Sequence, residues 1–328
     1  MRQTLLRLAP VLHLTRVTTA FAAVANVWFI ILWTRASGKN EGAPPNLWES
    51  PLWLLLLGAA VNALGLFTFA AALNDVLDQR RDRMLHPERP IPSGRLSVDW
   101  AIALVVGTFM AAVLGATVLG MDAVVLTILV AAAVLFFNAA GKFIPAIGLV
   151  VLGLIYAGQM VIPNLRLVFV WPVWLVMTHS LIVGGLTHVL ARKVPVVSRR
   201  AIIMSVVGWA FWTAVMLYAG WLRARGRGGL WPDFVRPDAA IWPVLLVIAF
   251  AVTTWRKVRV HGPGARASEK IGRYGALWQA LYACAWLLGQ RYYAEFLIVG
   301  TLTAVGFLGM TVLREVYGLI ERPPGYRR

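Results

Sequence analysis

Apolar stretches of about 20 residues recur from one end of this sequence to the other, separated by short polar segments. A stretch of that length is what an α-helix needs to cross the hydrocarbon core of a bilayer. Lipid offers the backbone no hydrogen-bond partners, so such segments must form helices. We place ten candidate spans, at about 16–35, 51–73, 99–120, 122–141, 144–163, 168–190, 200–222, 239–256, 272–289 and 293–313.

Composition agrees with a membrane protein that has no separate soluble domain. The sequence is 59% hydrophobic and 14% charged, whereas soluble domains average about 45–50% apolar and about 25% charged residues. The last two spans are separated only by residues 289–291, so a total of nine spans is also open. We expect one integral-membrane domain over residues 1–328, folded as an all-α bundle of nine or ten helices.

The net charge of +17 has an explanation that requires no nucleic-acid partner. Basic residues concentrate in alternate loops, as the positive-inside rule describes for cytoplasmic segments. The pattern places the N-terminus and the loop after the second span in the cytoplasm. The segment 223–238, with four arginines on the opposite side, fits this pattern badly. We expect a multi-pass protein of the bacterial inner membrane.

A cluster of acids stands at the end of the second span, in the segment 74–82, which reads NDVLDQRRD. Carboxylates at a membrane boundary are costly and usually functional. Asp75, Asp78 and Asp82 have i, i+3 and i+7 spacing, which predicts that they share one helical face. Oxygen ligands of this kind suit Mg²⁺, which is commonly shared with substrate phosphates. The cluster predicts a magnesium–diphosphate site; the alternative is a solvated helix end with ion pairs.

Two motifs together resemble those of the UbiA-type intramembrane prenyltransferases. NDVLDQRRD at 74–82 matches the pattern N-D-x-x-D-x-x-x-D, and RPIPSGR at 89–95 matches the R-P-[IL]-x-x-G that follows it in the family. The resemblance implies a helix bundle around a central cavity that opens to lipid. It also implies Mg²⁺-dependent transfer of an isoprenyl group from an allylic isoprenyl diphosphate to a small aromatic acceptor.

The resemblance further implies roles for single side chains. Asp75, Asp78 and Asp82 would be the catalytic acids that ligate Mg²⁺. Lys142 falls where family members carry a tyrosine and a lysine, although the tyrosine is absent here. The side chains expected to contact the diphosphate or position it are those of Asn74, Arg89, Lys142 and Arg16.

The second acidic motif of the family, D-x-x-x-D after the sixth span, is replaced in this chain. His188 and Arg192 occupy its place with i, i+4 spacing, which reverses the charge. We expect them to bind substrate by contacting the diphosphate directly. A UbiA-like subgroup from bacterial gene clusters with a eustigmatophyte link likewise keeps the first motif and lacks the second. Tyr156 and Gln159 in the fifth span fit helix packing better than cavity lining.

Three other function classes remain open from the sequence. The missing second motif favours a non-catalytic relative that binds or moves a polyprenyl lipid or its conjugate. A secondary transporter is suggested by span count alone, without the broken helices and paired internal charges typical of that class. A CDP-alcohol phosphotransferase would require a D-G-x-x-A-R string, which does not occur.

Overall fold

The computed structural model describes residues 19–226 and 228–321, with the side chains of 314–321 excepted. Within these residues the chain is α-helical and contains no strand, which confirms the predicted all-α class. A single helical turn, Asn46–Glu49, precedes the second long helix. The helices are α1 Phe21–Ser37, α2 Leu52–Leu77, α3 Gln79–Leu85, α4 Val98–Thr117, α5 Met121–Ala139, α6 Pro145–Val161, α7 Trp171–Leu190, α8 Arg199–Arg223, α9 Ile241–His261, α10 Ala265–Gly289 and α11 Tyr293–Glu321.

Each of the ten predicted spans coincides with a long helix, and the protein is a multi-pass integral membrane protein. In the described part of the chain, eight helical segments are long and apolar enough to cross a membrane. Helix α6 is apolar but has only 17 residues. Helix α10 begins with a charged first half, ARASEKIGR, which lowers its hydropathy. The last two predicted spans are separate helices, because the chain turns between Gly289 and Tyr293.

Helix α1 runs through the middle of the bundle. Fourteen of its 17 residues are buried, as expected for a helix that is apolar on all sides. Helices α2, α6, α10 and α11 pack around it. Asn26 of α1 donates a hydrogen bond to Gln279 of α10 (3.1 Å), which in turn donates to Ser180 of α7 (2.9 Å). This polar link fixes the register of three helices in the centre of the bundle.

Helix α2, which carries the acid cluster, is held against α4 by direct backbone contact. A Cβ atom on Gly65 would lie 2.7 Å from the Ala112 nitrogen, and one on Gly115 would lie 2.5 Å from the Asn62 nitrogen. Small residues permit this close approach between membrane helices. Asn62 adds hydrogen bonds to the Ala112 carbonyl and to Thr127 of α5, both 2.9 Å. The end of α2 is therefore rigidly positioned.

Successive long helices cross the bundle in alternating directions, joined by short connections. The ends of α2, α5, α7 and α9 consequently lie on one side of the bundle. That side carries the acid cluster, the α5–α6 turn, the loop after α7 and the α9–α10 hairpin. The opposite side carries the loops that follow α1, α6 and α8.

Candidate functional site

The acid cluster is divided by a bend in the chain. Helix α2 ends at Leu77 and α3 begins at Gln79, with Asp78 between them at φ −84° and ψ 0°, in the bridge region of backbone space. The segment is therefore two helices, where the acid spacing predicts one continuous helix. Asp75 lies on the last turn of α2 and Asp82 on α3, so the bend lets two helices contribute one carboxylate each.

Arg89 brings the two buried carboxylates together. Asp75 is 6% exposed and Asp82 is 3% exposed. The Arg89 Nη1 atom lies 2.5 Å from Asp82 Oδ2 and 3.9 Å from Asp75 Oδ1. The adjacent Pro90 and Ile91 are buried, and they anchor the loop that carries this arginine. The Arg89 guanidinium thus offsets the free-energy cost of burying the charged carboxylates of Asp75 and Asp82.

Lys142 compensates the third acid from the turn between α5 and α6. Its Nζ atom lies 2.8 Å from Asp78 Oδ2 and 3.1 Å from Asn74 Oδ1. Asn74 donates its Nδ2 hydrogen to Asp75 Oδ1 at 3.2 Å, which links the lysine to the buried pair of carboxylates. The structure therefore assembles six of the predicted site residues in one cluster, whose members are Asn74, Asp75, Asp78, Asp82, Arg89 and Lys142.

The donor set of this cluster has the chemistry that Mg²⁺ prefers, namely carboxylate and amide oxygens. Arg89 Nη1 lies between Asp75 and Asp82, so these two acids already present oxygens to one positive charge. Within residues 19–226 and 228–321, no three acid, histidine or cysteine side chains are close enough to hold a metal ion jointly. Asp75 and Asp82 fit a metal best, with Asp78 held apart by Lys142.

A small cavity of about 200 Å³ lies beside Asn74, between α2, α5 and α6. Its walls are mainly apolar and include Phe67, Phe137 and Tyr156. Tyr156 and Gln159 both line it, which is the alternative to helix packing that the sequence left open. Asn74 therefore belongs both to the polar cluster and to the wall of this cavity.

Asn138 is a site residue that the sequence analysis missed. It is 4% exposed, lines the cavity and donates a 3.4 Å hydrogen bond to the Ala70 carbonyl of α2. The sequence did contain a signal for it, since Asn138 is a polar residue in an apolar span and lies one helical turn before Lys142. Its contact joins α5 to the end of α2, where the cluster begins.

The remaining predicted residues are placed elsewhere. Arg16 lies outside the described residues. Helix α7 ends at Leu190, and Arg192 is an exposed residue beyond it with φ 49°, so the predicted i, i+4 helical pair with His188 does not form. His188 donates its Nε2 hydrogen to the Pro195 carbonyl at 2.8 Å, which holds the loop after α7. Direct diphosphate contact by these residues stays a prediction.

Comparison by sequence gives one partial match. No protein-family model matches the chain. A curated relative, the digeranylgeranylglyceryl phosphate synthase of Saccharolobus solfataricus, is 33% identical over 104 residues. This match covers 30% of the present chain and spans 37% of the length of that relative.

Comparison by structure extends over most of the chain. A structure of digeranylgeranylglyceryl phosphate synthase in membranes is similar with a TM-score of 0.51 and 16% identity, covering 87% of this chain and 98% of that one. A UbiA homolog from Archaeoglobus fulgidus, bound to GPP and Mg²⁺, gives a TM-score of 0.44 and 12% identity over 92% and 98% of the two chains. The first of these likenesses shows a shared fold.

Proposed function

Because this chain has the fold of the UbiA-type membrane prenyltransferases, we propose that it transfers an isoprenyl group from an allylic isoprenyl diphosphate to a small aromatic acceptor. One observation carries the proposal. Buried Asp75 and Asp82 converge on Arg89, and this pair is linked through Asn74 to an apolar cavity inside a membrane bundle. A ligand with a charged head and an apolar tail fits that arrangement.

We propose that the diphosphate head binds at the cluster and the tail enters the cavity beside Asn74. Arg89 suits a diphosphate because a guanidinium matches phosphate oxygens in a bidentate manner. Lys142 supplies a second, more compact positive charge. Both side chains would turn from the carboxylates to the diphosphate, which leaves the carboxylate oxygens available to a metal.

Asp75 and Asp82 are the residues that we propose to hold Mg²⁺ first, and Asp78 would join them when Lys142 turns to the diphosphate. When bound, Mg²⁺ would act as a Lewis acid that neutralises the charge on the departing diphosphate. Arg89 and Lys142 would contribute positive charge to the same end. The allylic carbon–oxygen bond breaks with its electron pair going to diphosphate, and a new bond forms to the acceptor, which loses a proton.

The aromatic side chains of the cavity support the cationic stage of this reaction. Phe67, Phe137 and Tyr156 line the cavity that lies beside Asn74. Ring faces carry partial negative charge and attract a cation within about 6 Å. The largely apolar wall also keeps water from capturing the allylic cation before the acceptor does.

The proposed setting is the bacterial inner membrane, with the N-terminus and the acid cluster on the cytoplasmic side. Support comes from the concentration of lysine and arginine in the connections on the side of the acid cluster. An isoprenyl diphosphate would then reach the cluster from the cytoplasmic interface, and its tail would remain in lipid.

Diphosphate release tests the proposal. Purified protein would receive geranyl, farnesyl or geranylgeranyl diphosphate with Mg²⁺, and acceptor arms would include hydroxybenzoate, naphthoate and geranylgeranylglyceryl phosphate. We expect Mg²⁺-dependent release that is lost in Asp75→Ala and retained in Asp99→Ala, an exposed acid on the same side of the bundle. Release that is equal in wild type and Asp75→Ala would contradict the proposal.

A non-catalytic lipid-binding protein is the second candidate. The loop after α7 favours it, because residues 188–200 contain no acid and His188 is engaged with the Pro195 carbonyl. Such a protein would bind the diphosphate in a Mg²⁺-dependent manner without releasing it in any acceptor arm. The same assay, combined with a binding measurement, separates the two functions.

A further inference from the structure

A second and larger cavity lies on the other half of the bundle. It has a volume of about 750 Å³ and is lined by α7, α9 and α10 together with the segment before α9. No lining residue is shared with the cavity beside Asn74, which belongs to α2, α5 and α6. The large cavity is therefore a separate feature, and its volume falls in the range of about 300–1,000 Å³ typical of ligand pockets.

The cavity is a groove between two membrane helices that both pack on a third. Helices α7 and α9 each pack against α10, and they face each other across the groove. Its wall on α9 includes Val244, Ile248, Ala251 and Trp255, which recur at helical spacing along one face. From Pro243 to Trp255 the groove extends about 18 Å, because a helix rises about 1.5 Å per residue.

These dimensions and this lining match one hydrocarbon chain. Half of the hydrocarbon core of a bilayer is about 15 Å thick, so a groove of about 18 Å has room for one extended acyl chain whose end passes the midplane. The side chains on its walls are almost entirely apolar and aromatic. Among the polar side chains on these walls, His179 is satisfied within the protein, since Tyr282 and the Gly275 carbonyl engage its two ring nitrogens at 3.2 and 3.0 Å.

The two ends of the groove are bounded by different side chains. One end is bounded by Trp171 and Trp231, whose indole N–H groups donate to the backbone carbonyls of Leu230 and Val235. The other end reaches Trp255, and the Arg259 guanidinium lies over that ring, 4.8 Å from its centroid. Arg259 is one helical turn beyond Trp255 on the same face, so it stands at the mouth of the groove.

Arg259 belongs to a basic hairpin formed by the end of α9 and the start of α10. Residues 256–273 contain six lysines or arginines and a single acid, Glu269, which pairs with Arg273 at 3.5 Å. The Lys257 ammonium lies 5.3 Å from the centroid of the Tyr274 ring, which holds a second cation at the membrane boundary. Basic residues near a membrane surface attract anionic lipid.

We propose that this groove binds an anionic phospholipid of the leaflet on the acid-cluster side. One acyl chain lies along α9 between Trp255 and Pro243, and the anionic headgroup contacts Arg259 at the mouth. The tryptophans at the far end close the groove to a second headgroup. The site is independent of the acid cluster and of the prenyl diphosphate proposed to bind there.

Native mass spectrometry of the protein released from nanodiscs tests this proposal. The nanodiscs contain equal amounts of phosphatidylcholine and phosphatidylglycerol of the same chain length. We expect wild type to retain phosphatidylglycerol in preference to phosphatidylcholine. Ala251→Phe fills the groove and should lower retention of both lipids severalfold, whereas Val252→Phe, on the neighbouring lipid-facing position, should leave retention unchanged.

Arg259→Gln separates the headgroup contact from the chain contact. We expect the preference for phosphatidylglycerol to fall about fivefold, while total retention remains close to that of wild type. Arg200→Gln, an exposed arginine on the same side at the start of α8, is the matched control. Equal retention of the two lipids by wild type, unchanged total retention in Ala251→Phe, or an unchanged preference for phosphatidylglycerol in Arg259→Gln would overturn the proposal. Loss of the bound phospholipid on addition of geranylgeranyl diphosphate would also overturn it, because the groove would then belong to the substrate site.

Discussion

Buried acids occur at both ends of the bundle, and the two ends satisfy them in different ways. On the side opposite the acid cluster, Glu41 is 2% exposed and follows the end of α1. Its carboxylate accepts hydrogen bonds from Trp33 Nε1 (2.9 Å) and from the backbone nitrogens of Val168 (2.6 Å) and Phe169 (3.2 Å). On the cluster side, Asp75 and Asp82 meet the flexible side chain of Arg89, and Asp78 meets that of Lys142.

This difference separates a structural acid from exchangeable ones. Backbone N–H groups and a buried indole are fixed by the fold, so they cannot turn away from the Glu41 carboxylate. Glu41 therefore joins α1 to the segment before α7, and its carboxylate is not available to a ligand. Arginine and lysine side chains can rotate away from a carboxylate when a diphosphate offers them a stronger partner. The cluster end is therefore suited to ligand binding, and the Glu41 end to stability.

The largest effect on activity is expected at Asp82. Asp82→Asn keeps the size of the side chain but removes the charge that faces Arg89 and the proposed metal. We expect diphosphate release to fall at least about 100-fold, since removal of one charge-stabilising group from an active site costs this much. The measurement is the initial rate of release at saturating Mg²⁺. A rate within twofold of wild type would remove Asp82 from the site.

The largest effect on stability is expected at Glu41. Glu41→Ala leaves the N–H groups of Trp33, Val168 and Phe169 without their acceptor in a buried place. Each such orphaned group costs about 1–3 kcal/mol. The expected result is a clearly lower unfolding temperature in detergent.

Glu49→Ala is the matched control, because Glu49 is exposed on the same side of the bundle. It should unfold at the temperature of wild type. If Glu41→Ala were as stable as this control, the distinction between structural and exchangeable acids would fail.

An intermediate effect is expected at Lys142. Lys142→Met retains much of the side-chain bulk and removes the ammonium that contacts Asp78 and Asn74. We expect the KM for the isoprenyl diphosphate to rise about tenfold through loss of a charge-assisted contact. Arg81→Met, an exposed cation in the same segment as the cluster, should leave KM unchanged. Equal KM values for the two variants would show that Lys142 only neutralises Asp78.

The smallest effect is expected from the loop after α7. His188 bonds to the Pro195 carbonyl, and Arg192 is exposed beyond the end of the helix. The double variant His188→Ala/Arg192→Gln should therefore change KM for the diphosphate by no more than about twofold, well below the energy of a charge-assisted phosphate contact. A tenfold increase would instead support the direct contact predicted from the sequence.

Much of the architecture could be predicted from the sequence, because the length and hydropathy of an apolar segment identify a membrane helix. All ten spans were located, and the UbiA-type fold implied by the motifs at 74–82 and 89–95 is confirmed. The contact between Arg89 and Asp82 could be expected, because only seven residues of sequence separate the two side chains. Lys142 was also expected at the site, although its contact with Asp78 crosses 64 residues.

Other features depend on contacts that no local pattern encodes. The bend at Asp78 interrupts a segment whose acid spacing suits a continuous helix. Two of the three partners of Glu41 are backbone N–H groups, of Val168 and Phe169, and every residue except proline carries such a group. The groove between α7 and α9 exists because of how two helices sit on α10. Its lining residues look in the sequence like ordinary lipid-facing positions.

Equilibrium binding of a non-hydrolysable geranylgeranyl thiodiphosphate, measured by titration calorimetry with and without Mg²⁺, tests the central claim most directly. The comparison is between wild type and the double variant Asp75→Asn/Asp82→Asn. We predict Mg²⁺-dependent binding by wild type and at least about 100-fold weaker binding by the variant. Equal affinity of the two proteins, or wild-type binding that is indifferent to Mg²⁺, would contradict the account.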